Sequence, residues 1–414
     1  MAYEIKRFPY SGTIDADGHV LEPPDLWKQY LENEYKDRAI RIRLDEEGYE
    51  YLEVDGRPSS QAVKGTLALM GAMGDENLHP SPDRRYAETM PFGAGSAAER
   101  LEMMDRENLE CCVLYPTLGL LWEIEVDDPK LSLAYARAYN RWIADFCRSS
   151  RGRLVPIAHL TMLDPEGSAV ELERAVKDGC KGAWVNAYNP RRVIHGNSIH
   201  EPLFKKCCEL DVPLAIHPAF TIHRAAAGIF DWPVPGHGNA DDAPVKQRTV
   251  TDDGAGGVGW GDALWGRAIV QQALISFMAL GTFDRFPKLK LGVLEEGAGW
   301  IGSALDRIDA FVAAIDRHRT RPRASEYFRR QCFISGDPDE FTTPFTIDYV
   351  GADCFMWATD FPHPDHPHDW VDNLQRYVAP LSPTTRAKVL GENVKRIYHL
   401  DYELPTSSSS SEAA

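Results

Sequence analysis

The 414-residue sequence predicts an α/β protein, a closed (β/α)8 barrel of eight parallel strands distorted by inserted loops and a hairpin. Three observations predict it. Short apolar runs alternate with amphipathic segments, the pattern of βα units around a parallel sheet. The runs are rich in Val, Ile, Leu and Ala with little alternation, as expected of strands covered on both faces. The rival, an open doubly wound sheet, is expected to carry a Gly-rich phosphate turn after an early strand, and none is present.

The first strand spans residues 13–20, TIDADGHV, and is unusually polar for a barrel strand. A helix follows at DLWKQYL, then an insertion over about residues 39–90. Its first part, AIRIRLDEEGYEYLEVDGRP, alternates apolar and polar residues around Glu47-Gly48 and predicts a β-hairpin outside the barrel. The rest of the insertion is rich in Gly, Ala and Pro and has no clear period. From there the order is regular: AAERLEMMDRENL leads into CCVLYPT, LSLAYARAYNRWIADFCRSS into RLVPIAHLTM, PEGSAVELERAVKDG into GAWVNAY, and HEPLFKKCCELD into PLAIHPA. A second insertion, about residues 220–265, is glycine-rich and carries Phe230, Trp232, Trp260 and Trp265; loops of this length form lids or stay disordered. GRAIVQQALISFMALGTFDRFP then precedes LKLGVLEEG, WIGSALDRIDAFVAAIDRH precedes RQCFISGD, and TPFTIDYVG precedes CFMWATD. Two further helices follow, at HDWVDNLQRYV and TTRAKVLGENVKRIYHL. Strands beginning at or near Thr13, Cys111, Leu154, Gly182, Pro213, Leu289, Gln331 and Cys354 make eight in βα order. Residues 1–404 are expected to form one domain, with a disordered low-complexity tail at 405–414.

Composition narrows the partners. With 43% hydrophobic and 26% charged residues the chain can bury a large core. A net charge of −17 argues against nucleic acid, whose phosphates need clustered Lys and Arg. No basic start runs into an apolar segment, and no stretch approaches the ~20 apolar residues of a membrane span, so a cytoplasmic protein with no membrane partner is expected. The eight cysteines (111, 112, 147, 180, 207, 208, 332, 354) include no CxxC spacing and read as reduced, mostly buried thiols.

Reactive side chains of a barrel sit where the strands end and the loops converge. The first strand ends in Asp17-Gly18-His19, a carboxylate and an imidazole two residues apart, which an extended strand points to one face. Asp15 shares that face one step deeper. The fifth strand ends in His217, the sixth in Glu295-Glu296 and the eighth in Asp360, followed by Phe361-Pro362-His363. Taken singly, a strand-end His or Asp is more often a helix cap or a hydrogen-bonded loop residue than a ligand, and only His217 is as readily one as the other. Four strand ends with potential ligands around one mouth point to a shared cation, without which the carboxylates would repel one another.

TIDADGHV, PLAIHP, LKLGVLEEGAGW and WATDFPHPD, in that order and spacing, resemble the amidohydrolase superfamily. More narrowly they resemble its amidohydrolase-related branch, which includes aminocarboxymuconate semialdehyde decarboxylases, aromatic-acid decarboxylases and several hydrolases. The resemblance runs from about residue 12 to 400 and implies a distorted TIM barrel with metal at its mouth. It places the family's first-strand pair on Asp17 and His19, its fifth-strand histidine on His217 and its last-strand aspartate on Asp360. Two departures stand out: Asp17 replaces a histidine, and Glu295-Glu296 stand where many relatives carry a histidine. Strand alternation sends these two to opposite faces, and Glu295 is the expected ligand.

The metal set is therefore Asp17, His19, His217, Glu295 and Asp360. Three carboxylates and two neutral imidazoles carry about −3, which two divalent ions balance better than one. Oxygen-rich ligation moves preference from Zn²⁺ toward Mn²⁺ or Fe²⁺ without excluding Zn²⁺. GAWVNAY supplies no Lys or Glu bridge, which weighs against the dinuclear form. His159, Arg192, His223 and His363 are candidates to hold an anionic substrate; Arg191 and Arg192 also read as solvated loop charges. Glu22 either contacts the site or caps the next helix, and Asp337 either supports the site or caps a helix. Asp360 and His217 are the expected catalytic pair.

The expected reaction is hydrolysis of an ester, thioester, amide or activated C–C bond by metal-activated water, with Asp360 as general base, on a small and bulky substrate. Non-oxidative decarboxylation by the same constellation is the alternative. A barrel that binds metal without catalysis is the reading from another class. Assembly as a homodimer is expected.

Overall fold

The computed structural model describes residues 3–62, 64–219 and 262–404, with side chains from Arg267 onward in the last segment. His223, Phe230, Trp232, Trp260, the Trp265 side chain and the tail lie outside the described residues, as does most of the second insertion.

The strands in chain order are β1 (Ile14–Val20), β2 (Arg41–Leu44), β3 (Glu50–Val54), β4 (Arg57–Pro58), β5 (Cys111–Pro116), β6 (Leu154–His159), β7 (Gly182–Asn186), β8 (Leu214–His217), β9 (Leu291–Val293), β10 (Cys332–Gly336) and β11 (Phe355–Trp357). Eight form one parallel sheet in the order β1-β5-β6-β7-β8-β9-β10-β11. Each predicted strand start lies within two residues of an observed one. Long helices between the strands begin where a short polar side chain satisfies the first free amides. The Asp128 carboxylate accepts from the Lys130 amide at 3.0 Å before Pro129–Cys147, and Asp164 accepts from Gly167 at 2.9 Å before Pro165–Asp178.

The sheet closes through side-chain and backbone hydrogen bonds between β1 and the residues that follow β11. Asp15 on β1 accepts the Thr359 amide at 3.0 Å and the Thr359 hydroxyl at 2.6 Å, and the Asp360 amide donates to the Asp17 carbonyl at 3.1 Å. Inside the barrel Ile14, Ala16, Val113, Ile157, Trp184, Ala215, Phe333 and Met356 pack together; a larger apolar layer lies between strands and helices.

The predicted hairpin is a small antiparallel sheet, β2-β3-β4, whose Arg41 faces Glu53 and Leu44 faces Glu50. Its third strand, two residues long, is not legible in the sequence. The rest of the first insertion has few regular elements and is tied back to the barrel mouth: the Met73 amide donates to Pro362, and the Tyr86 hydroxyl to the Glu22 carbonyl at 3.0 Å. All eight cysteines are free and only Cys208 is not fully buried. Among the described residues no helix is long and apolar enough to cross a membrane.

Candidate metal centre

On β1 the sequence Asp15-Ala16-Asp17-Gly18-His19 does not alternate simply. Asp15 pairs with Cys112 and Gly18 with Leu114, so one extra residue is accommodated between them. This bulge turns Asp17 and His19 toward the barrel mouth and leaves Asp15 on the outer side, beside Arg100 and Cys112. The expectation that Asp15 shares the face of Asp17 is thereby corrected. Gly18 is required here, because a Cβ would lie 2.6 Å from Cys112 Sγ and 2.9 Å from Asp15 Oδ2.

His19 Nδ1 donates to the Pro116 carbonyl at 2.7 Å, and His217 Nδ1 to the Pro218 carbonyl at 2.7 Å. A carbonyl can only accept, so each ring carries its proton on Nδ1 and presents a bare Nε2. These two lone pairs face each other at 3.3 Å. Around them stand Asp17 Oδ1, at 3.5 Å from His19 and 3.6 Å from His217, Asp360 Oδ1 at 2.9 Å from His19, and Glu295 Oε2 at 3.1 Å from His217. Both Asp17 oxygens, Asp360 Oδ1 and Glu295 Oε2 are buried without a hydrogen-bond donor. Two imidazole nitrogens and several carboxylate oxygens without a donor converge here, an arrangement that a cation lying between them would satisfy. The donor set fits a divalent ion held by imidazole and carboxylate.

Backbone strain aims two of these groups. Glu295 has φ +52° and Asp360 φ +55°, left-handed conformations that cost a side-chain-bearing residue of order 1–2 kcal/mol. Leu294 faces the barrel interior, so plain alternation would send Glu295 outward; the left-handed turn returns its carboxylate to His217. Glu296 goes elsewhere, its carbonyl accepting from Arg267, and burial pushes its carboxyl up to about 8.

Asp360 is the hub. Its Oδ2 receives His363 Nδ1 at 3.0 Å and lies 2.7 Å from His366 Nδ1. Burial alone would raise its carboxyl, but His363, His366 and His19 hold it well below the usual range. Burial, then repulsion from Asp360 and Asp365, raises Glu295. Burial and the neighbouring His363 lower His19, consistent with a neutral ligand imidazole. Among the described residues three groups of side chains could hold a metal: Asp17, His19 and His217; His19, Asp360 and His363; and Glu295, Asp365 and His366.

Behind the cluster, His363 Nε2 meets the Thr117 hydroxyl at 2.9 Å. Glu22 accepts the amides of Thr117, Leu118 and Gly119 at 2.8–3.1 Å, and burial against those donors leaves its carboxyl at about 7. Glu22 thus holds the loop after β5 by capping its 3-10 turn Leu118–Leu120, and not the next helix in sequence: the short helix Leu26–Tyr30 has Asp25 at its N-cap position. Asp337 Oδ1 lies 3.6 Å from His366 Nε2. His159, at the end of β6, is buried against Trp184 and donates Nε2–H to Glu123 at 3.0 Å. Arg192 is exposed on the loop after β7, away from any hydrogen bond of its side chain to a described residue.

Sequence reasoning passed over His366, Asp365 and Thr117. A signal existed for the first: Asp360, His363 and His366 recur every three residues in DFPHPDH.

A family model described as Amidohydrolase matches residues 14–400. Gamma-resorcylate decarboxylase of Rhizobium radiobacter is 26% identical over 321 residues, covering 73% of this chain and 86% of that protein. Among solved structures, an amidohydrolase from Mycobacterium avium subsp. paratuberculosis superposes with a TM-score of 0.71 at 20% identity, over 94% of this chain and 99% of its own. A 5-carboxyvanillate decarboxylase of Novosphingobium aromaticivorans with bound manganese gives 0.62 at 18% identity, over 96% and 100%. At these identities the solved structures speak to the fold alone.

The expectation of hydrolysis is corrected by the curated relative, a decarboxylase aligned over most of the chain. The physical reason lies at Asp360. The base expected to take a proton from water has one oxygen already engaged by two imidazoles and the other against His19, so the carboxylate excess is spent on holding the site together.

Proposed function

The chain belongs to the amidohydrolase family, and we propose that it is a divalent-metal-dependent, non-oxidative decarboxylase of a hydroxylated aromatic acid. The observation that carries the metal is the pair of bare Nε2 atoms of His19 and His217, 3.3 Å apart beside donorless carboxylate oxygens of Asp17 and Asp360. The reaction class is supported by the decarboxylase relatives, which act on resorcylate and carboxyvanillate by their names.

Asp17, His19, His217 and Asp360 would hold the ion, with Glu295 closing the set or bridging to a second ion beside Asp365 and His366. Manganese is the first choice, on the oxygen-rich ligands and on the neighbour that binds it. When bound, the ion supplies a Lewis acid that fixes the substrate's carboxylate and adjacent hydroxyl oxygens. The chain does the rest. The wall of Tyr115 and Trp184 about His217 offers an apolar seat for the ring. His363 Nδ1–H donates to Asp360 Oδ2, with His366 Nδ1 2.7 Å from the same oxygen, and these groups would form a route for one proton to the carbon that bears the carboxylate. Protonation there breaks the carbon–carboxyl bond: CO₂ leaves, and the bonding pair returns to the ring as the added proton stays on carbon. No oxidant or reductant enters.

Manganese-reconstituted protein incubated with a panel of hydroxybenzoates is expected to release CO₂ and the matching phenol in equal amounts, and to stop when chelated. Release of no CO₂ from any of them, with a full complement of metal, rejects the reading.

A further inference from the structure

Resting on that reading, we propose that Asn186 and the Glu123-supported His159 form a specificity subsite for a further hydroxyl on the substrate, away from the metal-held oxygens. On β7 Trp184 points into the barrel, so Asn186, two residues on, points the same way at the mouth. Its Cα partner on the neighbouring strand is His217, which places it directly beside a metal ligand. Asn186 is 1% exposed. The Tyr188 amide donates to Asn186 Oδ1 at 2.8 Å, which identifies that atom as the oxygen, since an amide N–H can only donate. The other atom, Nδ2, is therefore the donor, and it has no partner among the described residues.

His159 faces inward from β6 by the same alternation, since Val155 and Ile157 both lie in the barrel interior. It pairs in register with Trp184 and stacks on that indole at 4.0 Å. Its Nε2–H is committed to Glu123, a carboxylate only 1% exposed, and in the tautomer this bond selects Nδ1 is the acceptor. That Nδ1 is also without a partner among the described residues. Strand spacing puts the Cα atoms of His159 and Asn186 about 8 Å apart on adjacent strands, a gap two side chains and one small group can span.

One orphan donor and one orphan acceptor, both buried, are complemented by a single group that both accepts and donates. A hydroxyl does this; a methyl, a halogen or a hydrogen does not. A carboxylate would satisfy Asn186 and oppose the His159 lone pair. A site built to bind a hydroxyl rejects an analogue lacking it, because its own polar atoms are then left unpaired.

The test is calorimetric titration of manganese-loaded full-length protein with a benzoate carrying one hydroxyl beside the carboxylate, and with the isomeric dihydroxybenzoates that add a second. CO₂ release is measured on the same samples. One dihydroxy isomer is expected to bind about tenfold or more tightly than the monohydroxy acid. Asn186→Asp keeps the acceptor for Tyr188 while converting the free donor to an acceptor. It should erase that advantage, so that within the variant the dihydroxy isomer binds no more tightly than the monohydroxy acid, while bound metal is retained. Asn186→Leu should do the same. The inference is overturned if every isomer binds like the monohydroxy acid, if the advantage survives both variants, or if all acids weaken equally. An advantage that depends on Asn186 with no CO₂ release upholds the subsite and removes the decarboxylase reading instead.

Discussion

Asp15 is the carboxylate on which barrel closure and metal geometry should both depend. It is 2% exposed and spends its oxygens on Thr359, accepting the amide at 3.0 Å and the hydroxyl at 2.6 Å, with the Asp17 amide a weaker third donor at 3.3 Å. Asp15→Ala removes the acceptor and strands two buried donors, each worth about 1–3 kcal/mol, while relieving some desolvation of the charge. A net loss of about 3 kcal/mol is expected, roughly a 150-fold change in the unfolding equilibrium. Thr359→Val deletes only the hydroxyl bond and should cost about 2 kcal/mol. In a double-mutant cycle read from urea unfolding, the two changes should couple by about 1.5–3 kcal/mol, the range for a hydrogen bond to a charged group. The seam also sets the spacing between Asp17 and Asp360, whose backbones meet at 3.1 Å, so metal affinity of Asp15→Ala should fall about 10–100-fold, as when partners behind metal ligands are removed. Additive stabilities, or a Kd for manganese unchanged from wild type, would refute the seam.

Other changes test other parts of the frame. Gly18→Ala should destabilise by about 1–3 kcal/mol, since its Cβ falls 2.6 Å from Cys112 Sγ, and Cys112→Ala in the same chain should recover part of the loss in urea unfolding. His200 is buried with neither ring nitrogen bonded among the described residues, and burial, with the nearby His195, lowers its pKa to about 4. The unfolded chain then takes up its proton first. The His200 contribution to stability is flat above about pH 6.5 and falls by about 2–3 kcal/mol toward pH 4, and His200→Phe should remove it from a stability–pH curve. Glu22→Ala frees the loop that carries Thr117, so kcat should fall about tenfold or more with metal content retained, measured by steady-state CO₂ release. Metal at about 100 times its Kd should stabilise the protein by about 2.7 kcal/mol, and Asp17→Ala should remove that gain in thermal scans with and without chelator.

Much of this was legible along the chain. Eight apolar runs marked the strands because a strand buried on both faces must be apolar throughout, a local property. Asp17, His19, His217, Glu295 and Asp360 were legible because barrel strands end at one mouth, so a polar residue closing an apolar run is placed by topology alone. That the curated relative is a decarboxylase and not a hydrolase was not legible, since both reactions can use the same ligands and differ in where one proton goes.

What only the tertiary structure decided are matters of a few ångströms and of direction. The bulge at Ala16–Asp17 took Asp15 from the mouth and gave it to Thr359, 344 residues away, and no periodicity in TIDADGHV announces that. A left-handed turn at Glu295 aimed its carboxylate against the alternation of its strand. Asn186 acquired its place from a neighbour remote in sequence, His217 across a strand pair. Period and polarity are written residue by residue, and so they survive in one dimension. Backbone torsion at a strand end, and the partner a buried polar atom finds or lacks, are fixed by packing among segments that only the closed barrel brings together.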